Sequence, residues 1–193
     1  PVACLIGRVV PIKDVKTFLR AMRTLANLMP EAQGWIAGPE DEDPEYAAEC
    51  RALIHSLQLD DHVRFLGFQK IADLLPKVGV IVLSSISEAL PLVLLEGFAA
   101  GVPAVSTDVG SCRQLIEGLD DDDRALGRAG EVVGIANPEA LGRAVADLLR
   151  DPERWHAAQQ AGIRRVEAYY TQERMFASYR NLYESLLNQE ETP

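Results

Sequence analysis

The sequence predicts an α/β fold: a doubly wound parallel sheet of the Rossmann-like kind, followed by a C-terminal helical tail. Three observations indicate this fold. Strand-like runs alternate almost regularly with helical patterns, the strand-like runs are unbroken apolar stretches, and no repeat or low-complexity linker interrupts them. Unbroken apolar strands are typical of parallel sheets that helices cover on both faces. A chain of 193 residues suits one sizeable domain, so we predict a single domain over 1–193.

The elements follow in order along the chain. Apolar β-rich runs predict strands over 2–7, 34–38, 62–68, 79–85, 102–107 and 130–134. Helical patterns predict helices over 14–30, 44–59, 70–78, 91–100 and 110–118. The triplets Asn137-Pro138-Glu139 and Asp151-Pro152-Glu153 each give an N-cap, a proline at N1 and an acid in the first turn. We expect a last helix over 171–187, with aromatic residues at Phe176, Tyr179 and Tyr183.

The composition disfavours several classes of function. The net charge of −10, from 19 basic and 29 acidic residues, argues against nucleic-acid binding, because phosphate contacts need clustered Lys and Arg. No apolar run reaches the roughly 18 residues of a membrane span. Cys4, Cys50 and Cys112 lie far apart and the histidines share no ligand spacing, so we predict reduced thiols, no metal site and no cofactor. Since the chain starts at Pro1, we expect it to be part of a longer protein.

Ligands of doubly wound sheets bind beyond the carboxyl ends of the strands, near the switch in strand order. The loop after the first strand, GRVVPIK, holds Gly7, Arg8 and Lys13 just before a helix, which suits a phosphate-like anion. It matches neither the Walker A loop nor the dinucleotide fingerprint, and surface basic residues remain an alternative interpretation. The acidic runs 41–43 and 120–123 are predicted to be solvated turns.

Two glutamates stand eight positions apart in the apolar stretch SSISEALPLVLLEGFAAGVPAV. Glu88 falls in a strand-to-helix loop, and Glu96 lies in the helix that follows. The amides of Leu92 and Val93 at the helix start are unpaired donors to which a diphosphate could bind. Carboxylates accept hydrogen bonds from paired sugar hydroxyls. The alternatives are a helix-capping acid for Glu88 and a solvent-facing acid for Glu96.

Four segments in order, GRVVPIK, AGP, VRFLGF and EALPLVLLE, resemble the C-terminal, donor-binding half of retaining GT-B glycosyltransferases of family 4. Their E-x7-E arrangement matches Glu88 and Glu96, and the resemblance covers nearly the whole chain. Within the family, GRVVPIKDVKTF, DEDPEYAAECR and DVGSCRQLIEG are most similar to the Pel exopolysaccharide glycosyltransferases, cytosolic enzymes that use UDP-glucose. The resemblance implies hexose transfer from a nucleotide sugar to a growing polysaccharide or another acceptor, without metal, by a domain that is inactive alone.

The resemblance also implies roles for single residues. Arg8 and Lys13 would bind the donor diphosphate, Glu96 the ribose hydroxyls and Glu88 the hydroxyls of the transferred sugar. The remaining substrate-binding positions are the loop residues Leu90, Pro91, Leu92 and Val93, which hold sugar and phosphate, and Gly38, Phe65, Leu66 and Gly67, which line the nucleoside slot. The chain departs from the family at Asp14, Ala89 and Ser111, where glycine, or at 89 also serine, is usual. Ala89 leaves the sugar selectivity open.

The partners that the resemblance implies are a nucleotide sugar, an N-terminal acceptor-binding domain of the same protein and membrane proteins of a polysaccharide synthase complex. We expect the tail helix 171–187 to cross back onto that N-terminal domain, although packing on this domain is an alternative. The expected location is the cytoplasm, at the inner face of the membrane. A nucleotide-sugar 2-epimerase and a non-catalytic nucleotide-sugar module remain alternatives, and the E-x7-E and R-x4-K spacings argue against the epimerase.

Overall fold

The computed structural model describes residues 1–190, and side chains over residues 1–187. Its centre is a sheet of six parallel strands in the order β3-β2-β1-β4-β5-β6. The strands are β1 (Val2–Ile6), β2 (Gln33–Ala37), β3 (Val63–Gly67), β4 (Val80–Leu83), β5 (Ala104–Thr107) and β6 (Gly130–Val133). The strand order reverses between β1 and β4, so the predicted doubly wound sheet is confirmed.

The helices connect the strands and then close the chain. They are α1 (Val15–Leu28), α2 (Pro44–Ser56), α3 (Ile71–Leu74), α4 (Leu92–Ala99), α5 (Cys112–Glu117), α6 (Asp121–Arg124), α7 (Pro138–Arg150), α8 (Pro152–Tyr169) and α9 (Gln172–Glu190), with short 3-10 turns at Pro11–Lys13 and Leu75–Lys77. The starts of α7 and α8 are the two predicted cap sites. Asn137 accepts from the Ala140 amide, and Asp151 accepts from the amides of Glu153 and Arg154.

The sheet has an apolar core on each face. On one face, α1, α2 and α7 pack on alternate residues of the strands, with Phe18, Leu19 and Val145 among the buried side chains. On the other face, α3, α4, α5 and part of α8 bury Leu94, Phe98 and their neighbours. Every residue of β4 and β5 is buried. This burial agrees with the unbroken apolar runs, which are typical of central parallel strands.

The acidic run 120–123 is only partly the solvated turn that the sequence predicts, because Asp120, Asp121 and Asp122 are exposed but Asp123 is not. It begins α6, and Asp123 is buried against the fully buried Arg165 of α8, with 2.5 Å between Oδ1 and Nε. The Arg165 guanidinium also donates to the carbonyls of Ile116, Asp123 and Gly127. A buried carboxylate needs a paired charge and hydrogen bonds, and the partner lies 42 residues away, beyond local pattern reading.

The run 41–43 is only partly a solvated turn. Asp43 caps α2 by accepting from the Tyr46 amide, and Glu42 is paired with Arg8. Asp41 is exposed.

The tail helix α9 forms as predicted, but its large apolar side chains are about half exposed on this domain. They are Met175, Phe176, Tyr179, Leu182, Tyr183, Leu186 and Leu187. Among residues 1–190, no helix combines the length and the apolar composition that a bilayer crossing requires.

Candidate functional site

The candidate site lies at the switch point, where the loops after β1 and β4 meet. The two loops are joined by hydrogen bonds from the Ile86 amide to the Ile12 carbonyl, at 3.0 Å, and from the Ser84 hydroxyl to the Lys13 carbonyl, at 2.9 Å. The chain leaves β1 and β4 toward helices on opposite faces of the sheet, so a crevice opens between them.

A cation, a carboxylate and a hydroxyl converge in this crevice. Lys13 Nζ lies 2.6 Å from Glu88 Oε1, and Ser85 Oγ donates to the same oxygen at 2.6 Å. The side chains of Lys13 and Glu88 are only 23% and 13% exposed, so the ion pair is partly withdrawn from water. Within residues 1–187, Glu88 Oε2 has no hydrogen-bond partner. The carboxylate is therefore held through one oxygen and open at the other.

The loop after β5 supports the Glu88 loop from the other side. The Ser111 amide and hydroxyl both donate to the Ala89 carbonyl, at 3.0 and 2.9 Å, and Thr107 Oγ1 donates to the Ser85 carbonyl at 2.7 Å. A Cβ on Gly110 would lie 2.2 Å from the Glu88 carbonyl oxygen, so only glycine permits this approach. The loop 84–91 is thus fixed between two neighbouring strands.

The N-terminus of α4 supplies free donors beside this cluster. Pro91 is the N-cap and has no side-chain cap, and its own ring nitrogen carries no hydrogen. In the described part of the chain, the amides of Leu92 and Val93 have no acceptor. Gly97 lets α4 lie tightly on the sheet, since a Cβ there would fall 2.1 Å from Ile81 Cδ1. The helix therefore presents two backbone donors and its positive dipole end at the carboxyl edge of the sheet.

Arg8 is not brought into contact with the Lys13–Glu88 pair. Its guanidinium binds Glu42 of the loop after β2, at 2.5 and 2.7 Å, and the two side chains are 53% and 49% exposed. Exposed ion pairs are worth about 0–1 kcal/mol, so replacing Glu42 by another anion would cost little free energy. Its role at the diphosphate stays a prediction.

Glu96 lies on an exposed face of α4, one turn after Leu92, which is also exposed. In the part of the chain that the structure describes, the Glu96 side chain makes no hydrogen bond or ion pair. Leu90 is half exposed, Pro91 is buried and Val93 packs partly against the core. The loop thus turns Leu90, Leu92 and Glu96 outward from the same helix start.

The glycines at the strand ends bring the first three strands together at this edge. The Gly7 amide donates to the Ala37 carbonyl and the Gly38 amide to the Gly67 carbonyl, both at 2.9 Å. A Cβ on Gly38 would lie 1.9 Å from the Gly7 carbonyl oxygen, so the close approach requires glycine.

The structure separates two residues that were expected to share the nucleoside slot. Phe65 packs on the face covered by α2, with the Arg51 guanidinium 4.3 Å from its ring centroid, whereas Leu66 packs on the opposite face. Successive strand residues point to opposite faces, so only one of them can line a given side of the sheet. Phe68, one residue beyond β3, is 80% exposed at the carboxyl edge.

Residues 1–165 match the family described as Glycosyl transferases group 1, which is most of the chain. The chain belongs to this family. The lipopolysaccharide core biosynthesis mannosyltransferase LpcC of Rhizobium leguminosarum bv. viciae is 29% identical over 188 residues, which cover 94% of this chain and 50% of LpcC. The chain therefore spans about half the length of this relative.

Solved structures show the same fold. The C-terminal domain of a glycosyl transferase group 1 family protein, LpcC, from Francisella tularensis superposes with a TM-score of 0.76 at 20% identity, over 89% of this chain and 86% of that domain. Anabaena HepE in complex with UDP and glucose gives a TM-score of 0.78 at 19% identity, over 97% of this chain and 48% of HepE. The predicted fold, the C-terminal half of a GT-B glycosyltransferase, is confirmed.

Sequence reasoning missed the hydroxyl residues of this glycosyltransferase domain. Ser84 and Ser85 are buried at the end of β4, and Thr107 is buried at the end of β5. The sequence did indicate them, because hydroxyl residues directly after a buried central strand lie at the ligand-binding edge of the sheet.

An apolar groove of about 570 Å³ adjoins the start of α4 and was also missed. It is lined on one side by Leu90, Leu92 and Leu95 and on the other by residues of the α8–α9 junction, including Tyr169, Tyr170 and Met175. Its two sides lie more than 70 residues apart in the chain, so no local pattern indicates it.

The environments of the cysteines in this glycosyltransferase domain disfavour the thiolate form. Burial raises the pKa of Cys4 to about 12 and of Cys50 to about 11, and it also raises the pKa of Cys112. All three are free and buried, as the predicted reduced thiols require. Within residues 1–190, no group of three or more His, Cys, Asp or Glu side chains is arranged to hold a metal ion.

Proposed function

We propose that this chain is the donor-binding half of a retaining glycosyltransferase and binds the nucleoside diphosphate of a nucleotide sugar at the switch point. The observation that carries the proposal is the convergence of Lys13, Glu88 and the two unpaired amides of α4 in one crevice. A cation and helix amides favour a diphosphate, and a carboxylate favours sugar hydroxyls.

The chemistry of glycosyl transfer explains this pairing. Departure of a nucleoside diphosphate builds negative charge on the β-phosphate, which preorganised donors stabilise. Lys13 has three N–H donors, so it can keep its bond to Glu88 and still turn the others toward phosphate oxygens. The amides of Leu92 and Val93 add donors that need no reorganisation. The proposed mechanism therefore uses no metal ion for the leaving group.

The proposal assigns the remaining positions around the diphosphate. Arg8 leaves Glu42 to join Lys13 on the phosphates, and Glu96 on the exposed face of α4 accepts from the ribose hydroxyls. Glu88 accepts from the transferred sugar through the open Oε2. The base lies toward the strand ends Gly38 and Gly67.

The donor that we propose is UDP-glucose. Two observations support this choice: the similarity of GRVVPIKDVKTF and DVGSCRQLIEG to exopolysaccharide glycosyltransferases of the Pel type, and the shared fold with HepE, whose complex holds UDP and glucose. The acceptor is a growing polysaccharide or another sugar-bearing molecule. It would bind on an N-terminal domain that corresponds to the half of LpcC outside this match.

The tail helix fits that arrangement. The exposed apolar side chains of α9 give it a face that the domain itself does not cover. We propose that this face packs on the N-terminal domain and that the whole enzyme works in the cytoplasm, beside membrane proteins of a polysaccharide synthase.

Calorimetric titration of the 193-residue chain with UDP-glucose in EDTA tests the proposal. We expect weak binding without metal. Lys13→Ala should lower the affinity about tenfold or more, since one charge-assisted hydrogen bond is worth roughly 1.5–3 kcal/mol. The matched control is Lys77→Ala, which removes the same charge from an exposed site just before β4, at the opposite edge of the sheet.

The control should change the affinity by less than about twofold, because a distant exposed charge contributes little. Wild-type protein that binds UDP-glucose only when Mg²⁺ is added would contradict the metal-free site. Equal losses in the two lysine variants would contradict the assignment of Lys13.

A further inference from the structure

We propose that Ser85 is a positioning residue that holds the Glu88 carboxylate for recognition of the transferred sugar, a role that rests on the proposed function. Within residues 1–187, the carboxylate accepts hydrogen bonds through Oε1 alone, from Lys13 Nζ and Ser85 Oγ, both at 2.6 Å. Oε2 is the oxygen that a sugar hydroxyl would meet.

The two donors to Oε1, Lys13 and Ser85, differ in how firmly they fix the carboxylate. Lys13 sits on a long flexible side chain and is shared with the diphosphate, so its direction changes when a donor binds. Ser85 is 1% exposed, has one short side-chain torsion and lies three residues before Glu88 in the same loop. A buried hydroxyl of this kind fixes an orientation with little loss of rotamer entropy on binding.

The backbone that carries Ser85 is itself held in place. Thr107 Oγ1 donates to the Ser85 carbonyl at 2.7 Å, and the neighbouring Ser84 hydroxyl donates to the Lys13 carbonyl at 2.9 Å. Strand β4 ends at Leu83, two residues earlier, and every residue of this strand is buried. The position of Oε2 is therefore fixed by the buried centre of the sheet and not by the exposed part of the loop.

Removing the Ser85 hydroxyl should therefore affect the sugar and not the diphosphate. In Ser85→Ala, Glu88 keeps Lys13 as its partner but loses the bond that sets its direction. Among residues 1–187, no group donates to the Ser85 hydroxyl, so its removal leaves no buried donor without an acceptor. A role confined to folding would instead lower the affinities for UDP-glucose and UDP together.

The test compares calorimetric affinities of the 193-residue chain for UDP-glucose and for UDP. We expect Ser85→Ala to weaken UDP-glucose binding about three- to tenfold, the range of one hydrogen bond, and to change UDP binding less than about twofold. Ser85→Thr, which keeps the hydroxyl, should restore the preference for UDP-glucose. The matched control is Ser56→Ala, since the Ser56 hydroxyl donates to the Ala52 carbonyl on the exposed surface of α2.

A double-mutant cycle with Glu88→Ala completes the test. In the Glu88→Ala background, the Ser85→Ala change should no longer affect UDP-glucose binding. An unchanged ratio of the two affinities in Ser85→Ala, or the same loss with and without Glu88, would overturn the role of Ser85 alone. A wild-type chain that binds neither UDP nor UDP-glucose would overturn the proposed function and this role with it.

Discussion

At the scale of single residues, the buried pair Arg165–Asp123 constrains the segment between α5 and β6. Arg165 is fully buried and binds the Asp123 carboxylate and four backbone carbonyls, while Asp123 Oδ2 accepts from the Leu119 amide at 2.8 Å. This pair ties α8 to the segment that leads from α5 into the edge strand. Removing one partner would leave the other as a buried charge without compensation.

Replacing one partner tests this constraint. Arg165→Met should lower the free energy of unfolding by about 3–5 kcal/mol, because Asp123 is left as an uncompensated buried charge. Urea denaturation followed by circular dichroism gives the value. The control Arg164→Met changes the adjacent, exposed arginine and should stay within about 0.5 kcal/mol of wild type. A loss below about 1 kcal/mol in Arg165→Met would show that the pair is not a constraint.

The buried thiols predict how stability changes at high pH. The pKa of Cys4 in the folded state is raised by burial from about 9 to about 12, so the folded chain holds this proton more tightly than the unfolded chain. The stabilising contribution is complete below about pH 9 and is lost as the pH rises toward 12.

We therefore expect the free energy of unfolding to fall as the pH rises above about 9, and to fall less steeply in Cys4→Ala. Urea titrations at a series of pH values measure both slopes. The same slope in the two proteins would contradict the assignment to Cys4.

At the scale of secondary-structure elements, the packing of α7 on α1 closes one face of the sheet. Gly142 of α7 lies so close to α1 that a Cβ would fall 2.5 Å from the Ala21 carbonyl oxygen and 2.7 Å from Thr24 Cβ. Alanine is the better helix former by about 1 kcal/mol, so a glycine inside α7 is explained by this contact and not by propensity.

Gly142→Ala should therefore destabilise the chain by about 1–3 kcal/mol, the usual cost of forcing extra atoms into a packed interface. The control is Gly134→Ala, where the new Cβ meets no atom within 4 Å. Thermal unfolding of both variants gives the comparison. A Gly142→Ala protein more stable than wild type would mean that helix propensity outweighs the close contact.

The elements were largely predictable because their signals are local. Unbroken apolar runs located all six strands, and the Asn137 and Asp151 caps located α7 and α8. The short α6 was missed, because its stability depends on a buried charge pair with α8.

The same limit applies to the candidate site. Lys13 and Glu88 were both predicted from the sequence, but their direct contact joins residues 75 positions apart. The adjacent hydroxyls at the end of β4 were a sequence signal for Ser85, whereas the contact of Ser111 with the Ala89 carbonyl has no sequence pattern.

At the scale of the whole molecule, two surfaces extend beyond the folded core. The carboxyl edge of the sheet gathers the Lys13–Glu88 pair and the start of α4, and the tail helix α9 carries an uncovered apolar face. The sheet has an apolar core on each face, and these cores hold the elements that carry the proposed donor site. We propose that the acceptor site and the surface that covers α9 belong to an N-terminal half.

The central claim is that the nucleotide binds at the switch point between β1 and β4. Backbone amide shifts of the 15N-labelled chain during titration with UDP locate the ligand directly. We expect the largest changes at the amides of Leu92 and Val93 and in the loops that carry Lys13 and Glu88. Changes confined to the separate groove around Arg64 and Phe65, or no saturable changes at all, would contradict it.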